Sequence, residues 1–172
     1  YAVVSAISLA VLGGTLFAAP KKDKNGGKKS VVLISREEGS GTRGAFVELF
    51  GIEMKNAEGK KVDFTSEEAD ITNSTEVMLT SVAGNKYAIG YVSLGSLNKT
   101  VKALKIEGVS PSVSTIKNGT YKISRPFNII TKETGLSENA SDFIRFILSS
   151  DGQAIVEANG YISATQNPAY IA

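Results

Sequence analysis

The residues with the clearest chemical potential lie where a short apolar run gives way to a helical pattern. Residues 31–34 are apolar throughout, which is typical of a buried strand, and apolar side chains recur at helical spacing over residues 45–50. Ser40, Gly41 and Thr42 lie between them. The first backbone N–H groups of the predicted helix therefore lack partners within the helix. The helix dipole adds about half a positive charge there, and such a helix end binds anions.

Two arginines and two hydroxyl side chains surround this turn. Arg36 precedes Ser40 by four residues and offers a forked, charged donor, and Arg43 lies one turn into the predicted helix. We therefore predict an oxyanion cradle made by Arg36, Ser40, Gly41 and Thr42. A purely structural alternative stays open, because serine before a helix is commonly an N-cap and glycine there is commonly a turn.

Two glutamates, Glu37 and Glu38, adjoin the predicted cradle. An ionised carboxylate only accepts hydrogen bonds, so it repels a fully ionised ligand and tolerates one that carries a proton. Phosphate is partly protonated near neutral pH and sulfate is not. One glutamate at the cradle would thus favour phosphate over sulfate. The alternative is that both glutamates are solvated, or that one of them orients Arg36.

The same stretch resembles a known family. SREEGSGTRGAFVELFGI is similar to the second-lobe anion loop of the phosphate-binding proteins of bacterial ABC transporters, whose pattern is Arg-x-Asp/Glu-x-Ser-Gly-Thr. The resemblance continues in KYAIGYVSLGSL, in GTYKISRPFNIITK and in FIRFILSSDGQAIVEANGYI, and it covers residues 31–162. Five positions fit the anion-loop pattern: Arg36, Glu38, Ser40, Gly41 and Thr42.

The resemblance implies a fold and a ligand. The expected fold class is α/β: a type II periplasmic-binding-protein-like lobe with a mixed sheet flanked by helices, incomplete relative to the two-lobe family fold. The expected ligand is inorganic phosphate, bound for the membrane subunits of an ABC transporter. The implied phosphate-binding residues are the five that fit the pattern. Arg43, Asn73 and Ser74 are secondary candidates, although capping of the next helix is the alternative for Asn73 and Ser74.

Members of this family are roughly twice as long as this chain. Within a domain over residues 31–172, we expect residues 31–120 to form the second lobe and residues 121–172 to return toward the first. Much of the first lobe, with half of the phosphate shell, is then expected to be missing. Apolar faces on residues 121–131 and 143–148 should be partly exposed, or covered by a separate first-lobe chain or by self-association.

The N-terminal part has a different composition. Residues 1–19 carry no charge and are mostly apolar, which predicts an export signal or a membrane anchor. A buried helix is the alternative. Residues 20–30 carry five lysines and predict a solvated linker, with contact to a membrane surface as the alternative. Together these segments predict an extracytoplasmic location, in the periplasm or on the outer face of the cell membrane.

Composition excludes several kinds of chemistry. The chain has 172 residues, no cysteine, no histidine and a net charge of +2. Disulfides, thiol nucleophiles and Ser-His-Asp triads are therefore absent. We expect no metal, no cofactor, no nucleic-acid partner and no enzymatic activity, since Ser40 has no histidine to activate it. A half-protein that needs a first-lobe partner, and a non-binding scaffold or sensor fragment, are the competing functions.

The remaining pattern predicts alternating strands and helices. A surface excursion over 51–61 precedes a capped helix that ends near Gly84, and a strand over 87–92 follows, in which Gly90 indicates close backbone approach or a bulge. Further on we predict a helical turn over 93–97, a half-exposed strand over 101–106, and a short helix or loop over 114–118. A strand over 121–131 and a helix interrupted at 149–152 complete the chain.

Overall fold

The computed structural model describes residues 2–13, 30–132 and 134–164, with backbone alone for the first range. Residues 14–19 of the predicted signal or anchor lie outside the described residues, as does the predicted linker apart from Ser30. The strand β1 (Ala2–Gly13) falls within the segment assigned to a signal or anchor, and that assignment stays a prediction. In the described ranges, no helix combines the length and the apolar character needed to cross a membrane.

The described part of the chain contains both strands and helices, as the sequence pattern predicts, but three of its strands, Ala2–Gly13, Asp70–Thr72 and Ile162–Ser163, were not predicted. The strands are β1, β2 (Val32–Arg36), β3 (Glu53–Lys55), β4 (Lys61–Asp63), β5 (Asp70–Thr72), β6 (Ala88–Ser93), β7 (Lys102–Ala103), β8 (Ser124–Ile129) and β9 (Ile162–Ser163). The helices are α1 (Gly41–Leu49), α2 (Thr75–Gly84), α3 (Val113–Lys117), α4 (Glu138–Leu148) and α5 (Ser150–Ala158), with a 3₁₀ turn at Leu94–Ser96.

One mixed sheet organises the chain, in the order β5-β2-β6-β1-β7, with β8 and β9 also pairing with β1. β2 runs parallel to β5 and β6, whereas β1 runs antiparallel to all of its partners. β3 and β4 form a separate hairpin in the predicted surface excursion. Because β2 and β5 are parallel and both lead into helices, their carboxyl ends bring the starts of α1 and α2 to one edge of the sheet.

The principal core lies between α2 and one face of this sheet. Alternate residues of a strand face opposite sides, so Ile34, Ala88 and Val92 point toward α2, where Met78, Leu79 and Val82 are also buried. Gly90 lies directly beneath this helix, since a Cβ there would stand 2.5 Å from the Met78 sulfur. The close backbone approach predicted at Gly90 is confirmed.

The opposite face packs against α1. Tyr91 and Ala45 are buried together, with Phe46, Leu49 and Ile123 around them, and the rings of Phe46 and Tyr91 stack at 4.0 Å. Helix α1 is thus held by its apolar side, and Gly41 at its N-terminus is exposed.

A third cluster of Ile116, Tyr121 and Ile162 joins α3 to β9. Burial raises the pKa of Tyr121 to about 12.

Two predictions about the later part of the chain had different outcomes. The strand predicted over 101–106 is reduced to Lys102–Ala103, because Val101 is buried in the α2 core and β7 pairs only with the last two residues of β1. The partial exposure predicted for residues 143–148 is confirmed, since Phe143 is 63% exposed and Phe146 48%; within 121–131, Ile130 is 77% exposed whereas Tyr121 is buried. None of the residues of α4 is buried.

Candidate functional site

Arg36, the last residue of β2, is held in place by its own neighbour and by α2. Its Nε and Nη2 donate to the Glu37 carboxylate at 2.8 and 3.0 Å, and its Nη1 donates to Thr75 Oγ1 at 2.9 Å. The side chain is only 12% exposed. A guanidinium carries five N–H donors, so these three bonds leave two donors without a partner among the described residues. Glu37 is therefore the glutamate that orients Arg36, one of the alternatives left open above.

The start of α1 supplies further donors. Ser40 is the N-cap, and its Oγ accepts from the Arg43 amide at 3.3 Å while its carbonyl accepts from the Gly44 amide at 2.9 Å. The Ser40 hydroxyl hydrogen remains free to donate. The amides of Gly41 and Thr42 make no hydrogen bond to another residue in the described part of the chain. Capping and anion binding are thus compatible here, because the cap occupies only the third and fourth amides.

These groups line one cavity of about 320 Å³, which is at the lower end of the range for small-molecule sites. Arg36, Ser40, Gly41 and Thr42, predicted from the sequence as a cradle, all lie on its wall. We call it the cradle cavity. Five further residues line it that sequence reasoning missed: Thr75, Ser93, Ser96, Phe127 and Tyr161. They come from four other places in the chain, and only the fold brings them to the cradle.

Tyr91 of β6 contacts both β2, the strand that ends in Arg36, and α1. Its buried hydroxyl lies 2.7 Å from Ser35 Oγ and accepts from the Arg36 amide at 3.1 Å. The same ring stacks on Phe46 of α1. One side chain of β6 therefore contacts both elements that carry cradle donors, the end of β2 and the helix α1.

The aromatic side of the cavity depends on two glycines. A Cβ on Gly95 would stand 2.8 Å from the Asn159 carbonyl oxygen, and a Cβ on Gly160 would stand 2.8 Å from the Gly95 Cα. Gly160 also has φ +78°, a conformation that favours glycine. This close contact seats Tyr161 beside the 3₁₀ turn, where its ring meets Phe127 edge-on at 5.8 Å.

Glu38 and Arg43 face a different, adjacent cavity, which also contacts Glu53 and Asp63. Arg43 donates to Asp63 Oδ2 through Nη2 at 2.8 Å and through Nε at 3.2 Å. Its Nη1 donates to the Arg36 carbonyl at 3.0 Å. Arg43 therefore bonds to the backbone of the loop from the adjacent cavity. Ser40 borders both cavities. Glu38 is exposed and is not on the wall of the cradle cavity.

Asn73 and Ser74, the other secondary candidates, lie just before α2. Ser74 is the N-cap, and its Oγ accepts from the amides of Glu76 and Val77 at 3.2 and 3.4 Å. Asn73 is exposed. The cradle cavity reaches neither residue and contacts Thr75 instead. The capping role considered for Ser74 is therefore observed, and the contact nearest to the site comes from the residue after it.

Two carboxylates near the loop have shifted pKa values. Hydrogen bonds from the Arg36 side chain hold the pKa of Glu37 below its ordinary value, and a backbone hydrogen bond contributes. At Asp63, burial alone would raise the pKa, but hydrogen bonds from Thr65 and Arg43 outweigh burial and lower it. Both groups are therefore ionised at neutral pH and balance the two arginines. In the described part of the chain, no three Asp, Glu, Cys or His residues are grouped so that they could hold a metal ion.

Comparison with known proteins places this geometry in a wider context. The family model of the PBP superfamily domain matches residues 17–151. The phosphate-binding protein PstS 2 of Streptococcus agalactiae is 57% identical over 157 residues, which cover 91% of this chain and 54% of that protein. The protein of the same name from Streptococcus pneumoniae is 48% identical over 165 residues, covering 94% and 55%. The chain thus spans about half the length of these curated relatives.

Solved structures support the same fold. A phosphate-binding protein of a phosphate ABC transporter from Streptococcus pneumoniae is 51% identical, with a TM-score of 0.70, and the match covers 78% of this chain and 51% of that one. An ABC-type phosphate transport receptor from Vibrio cholerae is 27% identical, with a TM-score of 0.76, covering 92% and 70%. The predicted fold class, an α/β lobe with a mixed sheet that is incomplete relative to the family fold, is confirmed.

Proposed function

The chain belongs to the PBP superfamily, and on that premise we propose that it binds inorganic phosphate for an ABC transporter. The cradle cavity is the proposed binding site. Arg36, Ser40, Gly41 and Thr42 are its proposed donors, and Thr75 holds Arg36 toward it. The proposal extends to location: a receptor that delivers phosphate to membrane transporter subunits works outside the cytoplasm.

One observation carries the proposal. Gly41, Thr42 and Arg36 all line one cavity, and within the described residues the amides of the first two and two N–H groups of Arg36 make no hydrogen bond. A tetrahedral oxyanion presents acceptors in several directions, so convergent donors of this kind suit it. Because Glu37 already neutralises much of the Arg36 charge, the cradle relies on directed hydrogen bonds more than on net charge. We propose a binding protein rather than an enzyme, in agreement with the names of its relatives.

Calorimetric titration of the full chain with phosphate, and with sulfate for comparison, tests the proposal. We expect heat with phosphate at millimolar concentration. Arg36→Ala should weaken binding by about 10- to 100-fold, the value of a charge-assisted hydrogen bond of 1.5–3 kcal/mol. Arg43→Ala is the matched control and should have a smaller effect, because its guanidinium is engaged by Asp63. Equal losses from both changes, or no heat from a folded sample, would contradict the proposed site.

Glu38 remains a proposed phosphate-binding residue on the strength of the family pattern. The proposed role is to discriminate against an unprotonated anion. Glu38→Gln should then relax discrimination against sulfate, which the same titrations measure. Glu37→Gln is a useful comparison, since Glu37 contacts Arg36 directly and its loss should alter affinity for both anions. Unchanged selectivity in Glu38→Gln would remove this residue from the site.

A second candidate function is favoured by the exposed face of α4. Phe143 and Phe146 lie three residues apart, on the same side of α4, and are 63% and 48% exposed; we call this exposed apolar side the α4 face. Large exposed apolar patches commonly mark interfaces. The candidate is a half-protein that completes its fold with a separate first-lobe chain or by self-association. Size exclusion with light scattering tests it, and a well-behaved monomer would count against an obligate partner.

A further inference from the structure

Arg125, on β8, makes two contacts with α1, the helix that begins at Gly41. Arg125 Nη1 donates to Glu48 Oε2 at 2.5 Å, and its Nη2 donates to the Gly41 carbonyl at 3.3 Å. Gly41 and Glu48 are seven residues apart, so they lie on the same side of α1. Gly44 lies between them, and a Cβ there would stand 3.7 Å from Arg125 Nη2. The guanidinium therefore lies along α1, over a position that has no side chain.

The placement of this contact matters for the cradle. Gly41 is the first residue of α1, and its free amide is one of the proposed phosphate donors. Its carbonyl is fixed from the other side by Arg125. Two residues along β8, and therefore on the same face of the strand, Phe127 lines the cradle cavity. β8 thus lines the cavity through Phe127 and also bonds, through Arg125, to α1, the helix that supplies the proposed donors.

We propose that Arg125 is a positioning residue: it fixes the first turn of α1 relative to β8, so that the Gly41 and Thr42 amides stay directed into the cradle cavity. This inference rests on the proposed phosphate-binding function for its affinity effect. Arg125 donates to the Gly41 carbonyl but is not among the residues that line the cradle cavity. Its effect on binding is therefore indirect.

The ion pair is too exposed to contribute much to folding. The side chains of Arg125 and Glu48 are 33% and 53% exposed, and exposed pairs contribute little to stability. Breaking the pair should consequently leave the melting temperature almost unchanged. Lysine can replace the charge but not the fork, because one ammonium cannot reproduce the planar geometry that serves both Glu48 and Gly41.

Phosphate titration of Arg125→Gln, Glu48→Gln, the double variant and Arg125→Lys tests the inference in the full chain. Each single change to glutamine should weaken binding by about three- to fivefold, and the double variant should be no weaker than either. Arg125→Lys should regain only part of the affinity. Arg145→Gln, which breaks the exposed pair with Asp142, is the matched control and should bind as the unchanged chain does. Unchanged affinity in Arg125→Gln, or additive losses, would overturn the inference.

A second measurement is independent of phosphate. The Gly44 amide donates to the Ser40 carbonyl at 2.9 Å, within the turn that Arg125 grips. Its hydrogen exchange, followed by NMR without ligand, should be faster in Arg125→Gln and unaltered in Arg145→Gln. If the unchanged chain binds no phosphate, the proposed function fails and this measurement decides the inference alone. Equal exchange in both variants would overturn it.

Discussion

Removal of the Tyr91 hydroxyl tests how much its hydrogen bonds to Ser35 and Arg36, at the end of β2, contribute to stability. In Tyr91→Phe the ring can keep its stacking on Phe46, while Ser35 Oγ and the Arg36 amide lose their shared partner. A buried polar group left without a hydrogen bond costs about 1–3 kcal/mol. Because the Ser35 hydroxyl can rotate toward another acceptor, we expect a net loss of about 2 kcal/mol in the free energy of unfolding.

Thermal unfolding followed by circular dichroism measures this loss. For a chain of 150–250 residues, about 2 kcal/mol corresponds to a fall of about 4–8 °C in Tm. Tyr161→Phe is the matched control, since within the described ranges the Tyr161 hydroxyl makes no hydrogen bond to another residue. Its change should stay within about 0.5 kcal/mol.

A double-mutant cycle identifies the cause of the loss. Ser35→Ala alone removes one partner of Tyr91, and Tyr91→Phe alone removes the other member of the pair. If the 2.7 Å contact is responsible, the double variant should be more stable than the sum of the two losses predicts, by about 0.5 kcal/mol or more. Additive losses, or a Tyr91→Phe variant as stable as the unchanged chain, would refute this account of the strand.

Three further predictions concern charge, backbone and surface. The pKa of Asp63 is lowered, so its ionised form stabilises the fold above its ordinary pKa of about 3.9 and loses that effect as pH falls through the folded value. The Tm difference between the unchanged chain and Asp63→Asn should therefore shrink below about pH 4. Gly44→Ala should raise the free energy of unfolding by about 0.5–1 kcal/mol, because alanine has the higher helix propensity. Gly152→Ala should lower the free energy of unfolding, because a Cβ there would clash with the carbonyl oxygens of Phe146 and Ile147 in α4. Denaturant titration of both variants measures the two changes. Phe146→Lys should reduce self-association in light scattering with little change in Tm, since this ring is 48% exposed.

Much of the local structure was predictable from the sequence because it depends on neighbours along the chain. The strand, the turn and the helix around residues 32–49 follow from apolar spacing and from a capping serine. The cap at Ser74 is of the same kind. The strand predicted over 101–106 was too long, since burial of Val101 in the core takes precedence over strand pairing there.

The partners of each charged group were not predictable in the same way. Glu37 and Glu38 are neighbouring residues of one type and only Glu38 fits the family pattern, yet it is Glu37 that pairs with Arg36, while Glu38 faces the adjacent cavity. Arg43, a secondary anion-binding candidate in the sequence, donates to Asp63, twenty residues away. Side-chain partners of this kind depend on which strands pair and in which register, and no local pattern specifies that.

The sequence by itself determined that backbone amides gather at the start of a helix behind one arginine, because hydrogen-bond geometry and helix propensity act over a few residues. Only the tertiary structure decided what surrounds them. Thr75 reaches the cradle because β5 pairs with β2, Ser93 because β6 pairs with β2, and Tyr161 because two glycines let the end of α5 approach the 3₁₀ turn. Such contacts follow from the packing of the whole sheet, in which each strand is placed by partners far from it in the chain.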